Sequence, residues 1–146
     1  MRWHLATLAL SRAMISPDYP LASWFLIFAT TFFLLVVALP LLFAPLTWAR
    51  VFRWKLPEEG KHLTIYFGRC LGAVSLAIII TVAHGIPEPK SNLRLFELVA
   101  LTAGLMVAVH LWGALRRIQP MTETIETLFW AAVVIMALWL RFSTLA

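Results

Sequence analysis

Four stretches without a formal charge constrain this chain more than any other feature. Tyr19–Ala49, Cys70–Pro87, Leu98–Leu115 and Thr127–Leu140 contain no Asp, Glu, Lys or Arg. Their lengths match or approach the roughly 20 residues with which a helix crosses a ~30 Å hydrocarbon core. Lipid offers nothing to a bare peptide group, so such segments span as helices that satisfy their own backbone. The pattern predicts an all-α fold, a four-transmembrane-helix bundle with spans at about 21–48, 63–86, 95–115 and 123–145. Composition agrees, because 62% hydrophobic and 13% charged residues are too apolar for an ordinary soluble domain. The connections Ala49–His62, Glu88–Arg94 and Arg116–Thr122 are too short to hold a catalytic domain, and residues 1–146 read as a single integral membrane domain.

Residues 1–16 mix Arg2, His4 and Arg12 with Trp3, Leu5, Leu8, Leu10, Met14 and Ile15. Arg12 interrupts the apolar run and no small-residue cleavage site follows, which argues against a signal peptide. A short interfacial N-terminal helix is expected instead, ended by Ser16-Pro17-Asp18-Tyr19-Pro20. The net charge of +5 sits at span ends, where it meets lipid headgroups and not nucleic acid. Arg50, Arg53, Lys55, Lys61, Arg116 and Arg117 flank one side of the bundle, and Arg2, Arg12, Lys90, Arg94 and Arg141 the other. The positive-inside rule then assigns both termini to the non-cytoplasmic side. A bacterial inner membrane is the expected location.

The first span is rich in aromatics, with Trp24 and Trp48 near its two ends as an aromatic belt would place them. Pro40 and Pro45 each remove a backbone donor, so a kink is expected around Leu39–Ala44. The second span carries a polar stripe. At about 3.6 residues per turn, His62, Tyr66, Arg69, Ala73, Ala77, Ile80 and His84 share one sector. Gly68 and Gly72 form a small-xxx-small notch beside it, and Ala100, Gly104 and Ala108 repeat the device on span three.

Helix lengths sort the ionisable residues into two layers. His62, Arg69, His110, Glu123 and Glu126 lie towards loops one and three, and His84, Glu97 and Arg141 lie towards loop two. Charges at span depth cost a few kcal/mol unless paired, so they face the bundle interior by default. Arg69 is therefore expected to meet Glu126 or Glu123, Glu97 to meet Arg141, and the second span to be the inner post of the bundle. His62 and His110 are the one pair of imidazoles in a common layer that could hold haem b. No other cofactor and no metal site is expected, since Cys70 is the only cysteine and no CxxC, HExxH, GxSxG or phosphate-binding loop is present. No catalytic residue is assigned.

Tyr66-Phe67-Gly68-Arg69-Cys70-Leu71-Gly72 on span two, followed by Val109-His110-Leu111 late on span three, resembles small four-span families. These are the DoxX-like proteins and the scaffold of eukaryotic ergosterol biosynthesis. The likeness covers the last three spans and implies a tethering or accessory subunit without a reaction of its own. Leu111-Trp112-Gly113-Ala114 departs from the sterol scaffold, where an acid follows the histidine closely. The expected function is that of a non-enzymatic accessory or scaffold subunit, packed against another integral membrane protein of a larger complex. The alternative is a small transporter or ligand-binding bundle, for lipid, quinone or haem, with Arg69, His110 and Glu126 lining its pocket.

Overall fold

The computed structural model describes residues 14–145, so the interfacial helix expected over residues 1–16 falls almost wholly outside them. The described residues form helices and connecting turns, with no strand. Four helical stretches, Pro20–Phe43, Lys61–Ala83, Lys90–Arg116 and Met121–Leu145, are long and apolar enough to cross a membrane.

The first of these is bent by its prolines. Helix α1 (Pro20–Phe33) passes through a π-helical turn at Leu34–Ala38 into the short α2 (Leu39–Phe43). The chain breaks at Ala44 (φ −138°, ψ 54°) before α3 (Pro45–Val51). Pro40 has no N–H to offer Val36, four residues earlier. The Trp48 indole replaces it, donating to the Val36 carbonyl at 2.7 Å. The kink therefore begins five residues earlier than the prolines suggest, because a wide turn accommodates the missing donor. Trp48 folds back to serve this break.

Helix α4 (Lys61–Ala83) lies against the bent span. A Cβ on Gly68 would sit 2.5 Å from Pro45 Cβ, and one on Gly72 would sit 2.6 Å from the Leu42 nitrogen. The glycine notch thus receives the kink directly, Gly68 against the Pro45 ring and Gly72 against the backbone of Ala38 and Leu42. That contact sets the rotation of α4 and corrects the sequence-based expectation. His62, Tyr66, Arg69, Ala73, Ala77, Ile80 and His84 are all exposed, so the polar stripe faces outward. With 17% of its span buried against 28% for the other three, α4 is the outermost helix and not the inner post.

Helices α5 (Leu93–Arg116) and α6 (Met121–Leu145) form the second hairpin and are the most extensively packed pair. The two hairpins meet chiefly near loop two, where Ala22, Leu26, Val82, Phe96 and Leu140 make a core at 0–3% exposure. Phe25 stacks on Phe96 there. Ser23, fully buried, donates to the Ile86 carbonyl at 2.6 Å and accepts from the Ser16 N–H at 3.0 Å. In a bilayer such contacts hold helices by packing and hydrogen bonding, since lipid is as apolar as the core itself. The small-residue face of span three is used in part: Ala100 is buried, Gly104 has nothing within 4 Å of a Cβ, and Ala108 is exposed.

Candidate functional site

Two helix ends build a polar cluster beneath loops one and three. At the end of α3, Trp54 N–H bonds to Ala49 O and Arg53 N–H to Arg50 O, with Arg53 left-handed at φ 64°. At the end of α5, Ile118 N–H bonds to Gly113 O and Arg117 N–H to Ala114 O, with Arg117 at φ 55°. Both are Schellman closures with arginine where glycine is usual. The first turns Trp54 towards the bundle, and the second sends the chain back so that α6 starts beside the last turns of α5.

The closures are fastened by side chains. Thr122 donates to the Phe52 carbonyl at 2.9 Å, tying loop one to α6. Gln119 Nε2 donates to the His110 carbonyl at 2.9 Å and to Thr124 Oγ1 at 3.1 Å. Within this frame His110 and Glu123 are buried, at 3% and 6% exposure. His110 Nδ1 lies 2.7 Å from the Met106 carbonyl, which can only accept, so Nδ1 carries a hydrogen. Its Nε2 is 3.1 Å from Glu123 Oε2, a contact that needs one proton between them. Trp54 Nε1 donates to the other Glu123 oxygen at 2.8 Å. Glu126, one turn on and half-buried, places Oε2 3.9 Å from His110 Nε2. One ligand-capable atom from each of His110, Glu123 and Glu126 lies within 4.8 Å of the others, close enough to share one ion.

Below this cluster, between the two hairpins, lies a cavity of about 180 Å³. Its wall is almost entirely apolar, with Phe33, Leu71, Ile78, Val99, Met106 and Val133 among the lining residues and Trp130 belonging to it. Trp130 stacks on Phe33 at 5.0 Å and stands 6.2 Å from the His110 ring. It partitions the polar cluster from the apolar space. Trp130 Nε1 and Thr127 Oγ1 are buried without a hydrogen-bond partner among the described residues.

The remaining expected site residues are not gathered here. Arg69 is exposed on the outer face of α4 and forms no ion pair with Glu123 or Glu126, the pairing its depth suggested. The acids take His110 instead, because the glycine notch turns Arg69 away. Tyr66 is exposed and meets Phe67 edge-on at 5.6 Å. His62 is exposed in the first turn of α4, while His110 is buried with its Nε2 turned to Glu123. At the other end, Arg141 donates to Glu97 through Nε at 2.8 Å and Nη2 at 2.5 Å, and Arg94 adds a third contact at 2.7 Å. Glu97 and Arg141 thus meet as their shared layer implies.

Trp54, Gln119 and the Met106 carbonyl were invisible to spacing arguments. Trp54 and Glu123 are 69 positions apart. The acid-bearing start of α6 was the one local sign that this end of the helix meets polar partners. No protein-family model matches this chain, and neither does any curated protein or any solved structure.

Proposed function

We propose that this chain is a non-enzymatic subunit of a larger complex in a bacterial inner membrane, bound to another integral membrane protein through the outer face of α4. One observation carries the reading. The stripe His62–Tyr66–Arg69–Ala73–Ala77–Ile80–His84 is exposed along its whole length. Arg69 lies about 12 Å along the axis from Lys61 at 1.5 Å per residue, and among the described residues no carboxylate pairs with it. A guanidinium at that depth costs at least a few kcal/mol unless it is paired or reaches the headgroups. A partner helix bearing an acid opposite Arg69 removes that cost, and Ala73 and Ala77 let its backbone approach closely.

A photo-crosslinking residue at Ala73 tests the reading in native membranes, with the same residue at exposed Leu128 on α6 as the comparison. A discrete protein adduct from Ala73, absent from Leu128 and lost in Arg69→Gln, is the expected result. Adducts to lipid alone from both positions refute it.

A second reading, a bundle that holds an apolar membrane molecule, is favoured by the cavity between the hairpins. Its walls suit an acyl or isoprenoid chain and offer nothing to a charged solute. Lipid extraction of the purified protein, compared with Ala103→Phe, distinguishes it: a retained molecule lost on filling the cavity supports ligand binding.

A further inference from the structure

We propose that His110, Glu123 and Glu126 bind one divalent transition-metal ion. Geometry is the first argument. With metal–ligand bonds of about 2.0–2.2 Å, neighbouring ligands on a tetrahedral ion stand ~3.3 Å apart. His110 Nε2 and Glu123 Oε2 are already at 3.1 Å, and Glu126 Oε2 at 3.9 Å needs a small inward shift. Its side chain, 31% exposed, is free to make it.

The outer contacts are those a metal centre requires. A ligating imidazole donates its other N–H to a carbonyl or carboxylate, which holds the ring and the tautomer. His110 Nδ1 does so to Met106 O at 2.7 Å. Trp54 holds one oxygen of Glu123 at 2.8 Å and leaves the other turned towards His110. Both fixtures orient lone pairs into the same small space.

Charge supplies the third argument. Among the described residues no Lys or Arg bridges to either Glu123 or Glu126. A divalent ion supplies the positive partner that carboxylates in a poorly solvated site require. One nitrogen with carboxylate oxygens suits zinc, manganese, iron or cobalt in preference to calcium or magnesium. Three protein ligands leave a position open for water. The site is separate from the α4 face and from the apolar cavity, and neither reading of function depends on it.

The test uses the chain alone in detergent, stripped with a chelator and titrated with Zn²⁺ by calorimetry, with the Co²⁺ absorption spectrum as an independent report of ligand geometry. The expected result is one ion per chain, with affinity reduced at least about 10-fold in Glu126→Gln and His110→Gln and about 10- to 100-fold in Trp54→Phe. Glu88→Gln, exposed in loop two at the other end of the bundle, leaves it unchanged. Glu126→Gln keeps the shape of a half-exposed side chain, so its fold survives. Failure of the parent protein to bind Zn²⁺ stoichiometrically, or undiminished binding in Glu126→Gln, overturns the proposal.

Discussion

Gly72→Ala is the sharpest probe of how this bundle is assembled. In an isolated helix the change gains about 1 kcal/mol of propensity. Here the new methyl meets the Leu42 nitrogen at 2.6 Å, the Ala38 oxygen at 2.9 Å and Leu42 Cα at 3.0 Å, where ordinary contact begins at 3.4 Å. All three are backbone atoms of the bent first span, so no side chain can swing aside. The two helices must separate by about 0.8 Å in a close-packed contact, and overpacking of this kind costs ~1–3 kcal/mol. Net destabilisation of up to about 2 kcal/mol is expected after the propensity gain. Gly104→Ala is the control, since its Cβ meets nothing within 4 Å. That variant should be neutral or stabilised by up to about 1 kcal/mol. Steric trapping in bicelles measures both on one scale, and the two variants should differ by ~2 kcal/mol, roughly 30-fold in the unfolding constant. Equal shifts would mean that the notch does not carry the contact, and the account of why Arg69 faces outward would fall with it.

Trp48→Phe keeps an aromatic ring beside Phe52 but leaves the Val36 carbonyl without its donor; a loss of about 1–2 kcal/mol should register in thermal unfolding, and an unchanged midpoint would deny the indole its role at the kink. Glu97→Gln weakens the clasp from Arg141, and a lowered thermal midpoint is expected, small because solvent reaches both side chains. Exchanging the pair as Glu97→Arg with Arg141→Glu should recover much of what either single change loses, as read by unfolding in mixed micelles. Ser23→Ala removes a fully buried hydroxyl that joins Ser16 to Ile86; a loss of ~1–3 kcal/mol and faster hydrogen exchange at the Ser16 amide are expected.

How much was legible depended on how local the cause was. The prolines announce a bend because a missing N–H acts on the carbonyl four residues back, while the start of the bend at Leu34 and the choice of Trp48 as replacement donor needed the fold. Glu97 and Arg141 meet because helix lengths alone put them at one level. Arg69 defeated the same reasoning. Its level was right, yet depth says nothing about the direction in which a residue points around its helix axis.

What the sequence determined by itself was the number and length of the spans, since hydrophobic runs and charge spacing are properties of the chain in one dimension. Tertiary structure alone decided the rotation of α4. Its polar stripe and its glycine notch compete for the interior, and the bent first span fits only the notch. Tertiary structure also brought Trp54, His110, Glu123 and Glu126 together, because two left-handed turns and a helix crossing are needed before residues 69 positions apart can share a hydrogen bond.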